Sequence, residues 1–243
     1  MKLTVLGNSG GFPAAGGATS GYLLEIEGHY ILIDCGSGVL SNMFRYINIT
    51  QLDAVIITHL HSDHISDVDV LKYAVDLSRK YGLDREPLPV FAPATPEMAA
   101  DSLQGEGLLI VGQLKEHMKM NLYGANLETY RMNHPVETYG LRIEHEGRVF
   151  AFTADSTPCE SLDDLLQDAD LAIMDAGMLE KHRKPVMMHL TAAECAETAN
   201  RCGVKRLLLT HMLPLIDPAE LLAEASAIRP ETELTELLAE YKV

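Results

Sequence analysis

Positive charge is scarce in this sequence. Nineteen Lys and Arg stand against thirty-five Asp and Glu, a formal net charge of -16. A surface of that sign repels a phosphate backbone and disfavours non-specific nucleic-acid binding. A small anionic substrate stays possible where metal ions supply local positive charge. Cysteine is equally sparse. Cys35, Cys159, Cys195 and Cys202 form no C-x-x-C pair and no tight framework. That argues against a disulfide scaffold and a zinc–thiolate site, and suits reduced thiols. Cys35, next to Asp34 in an apolar strand, reads as a small buried residue. No apolar run approaches the roughly 20 residues that span a bilayer. The stretch between Lys2 and the first glycines is too short for a signal-peptide apolar region. A cytoplasmic protein without membrane association is expected. The sequence also lacks a Pro- or Ser-rich linker, an internal repeat and any low-complexity segment. It reads as a single α/β domain over residues 1–243, and with 47% apolar residues it can bury a sizeable core.

Strands are expected in "KLTVLG", "YLLEIEGHYILIDCG" (broken by a hairpin at Gly28–His29), "DAVIIT" and "PLPVFAP". "NLETYRMNHP", "YGLRIEHEG" and "RVFAFTADS" alternate as strands do, with a turn at Gly147. "DLAIMDAG" and "VKRLLLTH" complete the set, and "GSGVLSNMFRYI" reads as a turn and a short helix. In "DVDVLKYAVDLSRKYG", Val68, Leu71, Ala74, Val75 and Leu77 share one helical face, and Gly82 closes the helix. "TPEMAADSL" is expected to be a helix with Thr95 as N-cap and Pro96 in its first position. "LDDLLQDA" is a short helix. "TAAECAETANRCG" carries a capping box, Thr191 with Glu194, and Gly203 at C′. "DPAELLAEASAI" opens with Asp217 as N-cap. Residues 104–124 give no clear pattern.

What is present in excess is one hexapeptide, "HLHSDH", at 59–64. It places His59, His61, Asp63 and His64 together in a chain with only ten histidines. A solvated turn would use Ser, Asn or Lys. The hexapeptide follows the buried strand "DAVIIT" directly, and α/β folds build sites at such strand ends. Three further apolar runs end on a possible ligand: "ETYRMNH" on His134, "RVFAFTAD" on Asp155 and "VKRLLLTH" on His211. One catalytic zinc takes about three protein ligands and keeps a position open for water. Seven candidates therefore suit two divalent ions, which together could make a shared water acidic and hold both ends of a displacement at phosphorus. Zinc suits the imidazoles, while Mn2+ or Fe2+ can occupy carboxylate-bridged pairs.

"HLHSDH" resembles the H-x-H-x-D-H signature of the metallo-β-lactamase superfamily, and His134, Asp155 and His211 follow in the order of that family. "ILIDCGSG" resembles its early strand-and-turn motif, with Asp34 in the usual place. The resemblance implies a four-layer αββα sandwich with metals at one end of the two sheets. It assigns His59, His61 and His134 to one ion, Asp63, His64 and His211 to the other, and Asp155 to the bridge. After the motif, this chain has Ser66–Asp67 where many members have Gly-Gly.

Within the superfamily, "MMHLTAAECAETANRCGVKRLLLTH" resembles the ribonuclease Z–like phosphodiesterases. That resemblance gives His189 a role at the scissile phosphate or leaving group. It places Asp175 of "AIMDAG" on the glutamate of a His-Glu-Ala-Thr motif, where it would orient His189. Asp63 would also orient or deprotonate the nucleophile. Ribonuclease Z proper usually inserts a tRNA-gripping arm between the positions of His134 and Asp155. Here residues 135–154 suffice only for two strands and a turn. The favoured reading is a dinuclear metal-dependent phosphodiesterase acting on small diesters, cyclic nucleotides among them. One alternative is an arm-less RNA 3′-processing endoribonuclease. The other is a non-catalytic metal-binding regulatory protein. The resemblance also implies a homodimer. The Gly-rich stretch 7–17 reads either as a phosphate-facing loop or as a plain turn, and it lacks the G-K-[ST] of a P-loop. His29, His117, His145 and His182 read as surface or turn residues, and Lys181, Arg183 and Lys184 as a solvated basic run.

Overall fold

The computed structural model describes residues 1–83, 86–105, 107–184, 186 and 188–243. Within the stretches read above, Glu106 and Met187 lie outside the described residues. Among the described residues, fourteen strands form two sheets. The first sheet contains β1 (Lys2–Gly7), β2 (Gly21–Ile26), β3 (His29–Ile33), β4 (Leu52–Ile56), β5 (Leu88–Ala92) and β6 (Leu109–Gln113). The second contains β7 (Lys119–Leu122), β8 (Ala125–Arg131), β9 (Tyr139–His145), β10 (Arg148–Phe152), β11 (Leu171–Asp175), β12 (Arg206–Thr210) and β13 (Glu233–Leu234). The last strand, β14 (Glu240–Lys242), returns to pair with β1. The strand orders are β14-β1-β2-β3-β4-β5-β6 and β13-β12-β11-β10-β9-β8-β7.

The two sheets are built alike. β14, β1, β2 and β3 run antiparallel, and β3 to β6 are parallel. In the second sheet β7 to β10 are antiparallel, and β10 to β13 are parallel. Strands entered through a hairpin therefore leave at the opposite edge, and β3, β8 and β10 all end there.

Apolar residues divide by layer. Leu3, Val5, Leu24, Ile31, Phe150 and Ile173 belong to the core between the sheets. Tyr22 joins them, with its ring 4.9 Å from that of Phe152. Its hydroxyl, 2.6 Å from Thr210 Oγ1, ties the sheets by a buried hydrogen bond. On the outside of the first sheet lie α1 (Val39–Met43), α2 (Ser62–Ile65), α3 (Val68–Lys80) and α4 (Glu97–Ser102). On the outside of the second lie α5 (Ser161–Leu166), α6 (Ala192–Arg201) and α7 (Pro218–Ser226). This is the expected four-layer αββα sandwich. Each fully buried Leu or Phe contributes about 1.5–3 kcal/mol by leaving water.

Local expectations mostly hold. The Thr191–Glu194 capping box closes both ways on α6, and Asp217 accepts from Ala219 N–H at α7. Two expectations fail. Thr95 does not cap α4: its N–H and hydroxyl donate to Glu137 at 3.0 and 2.8 Å, and Pro96 takes the N-cap position. On α3 the buried face is Val68, Leu71, Val75 and Ser78, while Leu77 is exposed. The unread stretch 104–124 supplies β6 and β7, the outer strands of their sheets.

Candidate metal centre and active site

The edge at which β3, β4, β8, β10, β11 and β12 end carries the candidate residues. β4 leads to His59 and His61, and His61 is the N-cap residue of α2. A single turn of α2 then presents Asp63 and His64. His134 follows β8, Asp155 follows β10, and His211 is the first residue past β12. All seven converge, in two groups that share Asp155. His59, His61, His134 and Asp155 bring ligand atoms within 4.8 Å of one another. Asp63, His64, His211 and Asp155 do the same.

Asp155 lies between the groups and is buried. Its Oδ1 is 3.4 Å from His64 Nε2, and its Oδ2 is 3.5 Å from His59 Nε2 and 3.4 Å from His211 Nε2. Burial alone would raise its carboxyl. The surrounding His211, His64 and His59 rings outweigh burial and hold it well below the usual carboxylate range. In the first group, His61 Nδ1 stands 3.1 Å from both His59 Nε2 and His134 Nε2. Burial, opposed in each case by Asp155, lowers all three imidazoles, His134 to about 4. His61 Nδ1–H can donate to only one of His59 Nε2 and His134 Nε2 at a time, whereas a cation between the three rings would satisfy all of them. In the second group, Asp155 with Asp34 outweighs burial and raises His64 to about 10. Its buried Nε2 has no hydrogen-bond partner among the described residues and faces Asp155 at 3.4 Å and Asp63 at 3.6 Å. This group calls for positive charge. The donor set of both groups fits divalent ions.

Outer contacts aim the rings. Buried Asp34 accepts from His64 Nδ1–H at 2.7 Å, Ser20 Oγ at 2.9 Å and Thr58 N–H at 2.8 Å. His134 Nδ1–H donates to the Met188 carbonyl at 3.2 Å. Each contact turns Nε2 towards the centre.

His189, just before α6, also reaches the centre. Its Nδ1 is 2.9 Å from Asp175 Oδ2 and 3.9 Å from Asp155 Oδ2. Asp175 is buried and held below the carboxylate range, because His189 and His211 outweigh the effect of burial. It therefore accepts, His189 Nδ1 donates, and His189 Nε2 is left for a ligand. Asp175 has a second duty: its Oδ1 lies 3.4 Å from His211 Nδ1. The proposed partner of His189 thus also lies close enough to a candidate metal ligand to favour its charge, though His211 Nδ1 makes no hydrogen bond among the described residues.

The Beta-lactamase superfamily domain matches residues 29–212 of the chain. The chain belongs to the β-lactamase superfamily. Its similarity to the Bacillus subtilis protein called "Probable metallo-hydrolase YhfI" is 34% identity over 221 residues, 87% of each chain. It is 30% identical over 250 residues to a Ribonuclease Z of Mycobacterium bovis, covering 90% of this chain and 89% of that one. The crystal structure of the metallo-β-lactamase fold protein YhfI from Bacillus subtilis superposes with a TM-score of 0.95 at 29% identity, over 99% of this chain and 98% of that one. The protein is a metallo-hydrolase of this superfamily.

The structure of this superfamily member also brings in residues that sequence reasoning gave no role. Asp34 obeys the same strand-end rule as the ligands, since it directly follows β3, and that rule would have flagged it. The Gly-rich loop is neither a plain turn nor free to face a phosphate throughout. Gly11 N–H donates to Asp63 Oδ2 at 2.8 Å. Gly10 lies so close to His211 that an added Cβ would stand 2.7 Å from Nδ1. Among the remaining histidines, His29, His117 and His145 lie away from the centre, while His182 lines a cavity next to it.

Proposed function

We propose that the protein is a dinuclear, metal-dependent phosphodiesterase that hydrolyses small diesters. The observation that carries this reading is Asp155, with one carboxylate oxygen turned to His64 and the other to His59 and His211. His59, His61 and His134 would hold one ion; Asp63, His64 and His211 would hold the other; Asp155 would bridge. Two zinc ions are the expected occupants, with Mn2+ or Fe2+ as substitutes. When bound, such ions supply a water acidic enough to lose its proton near neutral pH and positive charge for the phosphoryl oxygens. The chain supplies the rest. Asp63, braced by Gly11 N–H, can accept the proton of the attacking water. His189 presents Nε2 from a ring fixed by Asp175 and can donate to the leaving oxygen.

Small substrates are favoured because His134 and Asp155 are joined only by β9, β10 and the turn at Gly147, with no inserted arm. The excess of acidic residues points the same way. The 30% identity to a Ribonuclease Z favours a second reading, RNA 3′ processing without an arm. A panel of cyclic nucleotides, dinucleotides, bis(p-nitrophenyl) phosphate and a pre-tRNA, assayed with Zn2+, Mn2+ and Fe2+, separates them. Turnover of small diesters by protein carrying about two ions per chain is expected. Full activity with almost no bound metal would overturn the dinuclear reading. Cleavage confined to pre-tRNA would replace it with the second. A cytoplasmic homodimer completes the proposal. The exposed ridge Val70, Tyr73, Leu77 and Tyr81 along α3 supports self-association, and light scattering at micromolar concentration should give twice the chain mass.

A further inference from the structure

The space over His189 and His211 is small, about 130 Å³, and is walled by Gly10, Gly11, Gly177, Met178 and Leu213. It continues into a cavity of about 430 Å³ that shares Gly177, Met178 and Leu213. Lys181, His182, Lys184, Leu215 and Ile216 complete the larger cavity. Pockets that enclose an organic ligand measure about 300–1,000 Å³. The inner space falls below that range and suits a phosphoryl group alone. The adjoining cavity falls within it.

Its lining has two characters. Met178, Leu213, Leu215 and Ile216 make an apolar side, and Leu215 stands 77% exposed. Lys181, His182 and Lys184 make a basic side. Lys181 is half exposed and paired with Glu220. Lys184 makes no ion pair among the described residues. Arg183, between them, turns to Glu194 and Glu180 instead. In a chain of net charge -16, Lys184, with Lys181 beside it, places positive charge at one cavity where an anion enters. The basic run is therefore more than a solvated loop.

We propose that this cavity receives the leaving-group side of the substrate. The leaving group is a nucleotide whose base lies on the apolar side and whose remaining phosphate meets Lys184 and Lys181. The assignment rests on the phosphodiesterase reading. It follows from order along the groove: the candidate metal ligands, then His189, then the cavity. Hydrolysis forms one P–O bond to the oxygen of water. It breaks the P–O bond to the leaving oxygen, which takes a proton from His189 and departs as a hydroxyl of that nucleotide.

The test uses metal-replete protein and four substrates: bis(p-nitrophenyl) phosphate, a plain dinucleotide, and the same dinucleotide phosphorylated at its 5′ or its 3′ end. The wild type should show a KM roughly tenfold lower for one phosphorylated form than for the plain one, the size of one charge-assisted contact. In Lys184→Ala with Lys181→Ala that ratio should fall towards one. Leu215→Asp, at an exposed site that folding tolerates, should raise KM for every dinucleotide relative to bis(p-nitrophenyl) phosphate. An unchanged KM ratio in the double-lysine variant, or equal KM values in the wild type, would overturn the cavity assignment while leaving the phosphodiesterase reading intact. Absence of turnover on all four substrates would overturn the phosphodiesterase reading itself.

Discussion

Left-handed backbone occurs at both ends of the sandwich, and the two ends reach it differently. At the hairpin end, Glu27–Gly28, Tyr123–Gly124 and Glu146–Gly147 join β2 to β3, β7 to β8 and β9 to β10. Their φ values are 51 and 83, 51 and 86, and 52 and 71°. Both residues of each pair are left-handed, the type I′ turn that suits the twist of a hairpin. These turns are solvent-facing, and glycine takes the second position without strain. At the other end, Asp34, Ala154 and His211 have φ values of 58, 52 and 56°. None is glycine, and all three are buried. Each directly follows a strand or precedes a candidate ligand. Strain of this kind persists only where the surroundings over-determine it. Here they do: Asp34 is held by Ser20, Thr58 and His64, and His211 by Asp63 and Asp175. At the hairpin end glycine turns the chain; at the other end, where Gly11 and Gly38 are also left-handed, contacts hold non-glycine residues in that conformation and aim their side chains.

If that contrast is right, substitutions at the two ends should move different observables. The largest effect is expected at His189. His189→Ala should leave metal content almost unchanged and lower turnover of a poor-leaving-group diester by roughly two to four orders of magnitude. The loss should shrink for a very good leaving group. Wild-type turnover would make His189 a helix entry and nothing more. Asp175→Asn should act on both its neighbours, lowering turnover and also weakening metal binding through His211. Unaltered metal affinity would remove the second duty assigned to Asp175.

An intermediate effect is expected at Asp34. Asn tolerates the left-handed backbone but cannot hold His64 with a charge. Asp34→Asn should weaken binding at the second metal group by roughly 10–100-fold, the usual range for an outer-shell partner, as measured by competition with a chelator. A loss of thermal stability with unaltered metal affinity would place Asp34 with the hairpin residues and break the contrast. The smallest effect is expected at Gly147. An added Cβ there meets nothing, so the change is conformational alone. Gly147→Ala should destabilise by about 1 kcal/mol and lower Tm by roughly 2–4 °C. A change in turnover per bound metal would show that the two ends communicate.

The same contrast explains what could be read from the sequence. The hairpins at Gly28 and Gly147 were legible because glycine marks them. The metal ligands were legible because each apolar run stops at a His or Asp. The bond from Asp34 to His64 was not, since it joins two strand ends brought together only by the fold. Nor was the second contact of Asp175, which needs β11 and β12 side by side. β6 and β7 escaped notice because their signals are short: the apolar run Leu108–Val111 and the alternating Lys119–Leu122 are too brief to mark a strand on their own. β13 and β14, of two and three residues, are too short to carry a period. On α3 the buried face ends on Ser78 because geometry, not hydropathy, selects the last inward position.

The order of strands along the chain has a further consequence. Apart from β14, everything up to residue 113 builds one sheet and everything from 119 builds the other. Each candidate ion would draw ligands from both: His59 and His61 with His134, and Asp63 and His64 with His211. Its binding free energy is then also folding free energy, because the unfolded chain holds no such constellation. At ion concentrations a thousandfold above Kd that linkage amounts to about 4 kcal/mol. The ions would act as clasps between the two halves of the polypeptide, and a chelator would loosen the seam at this edge while the apolar core between the sheets still holds the rest.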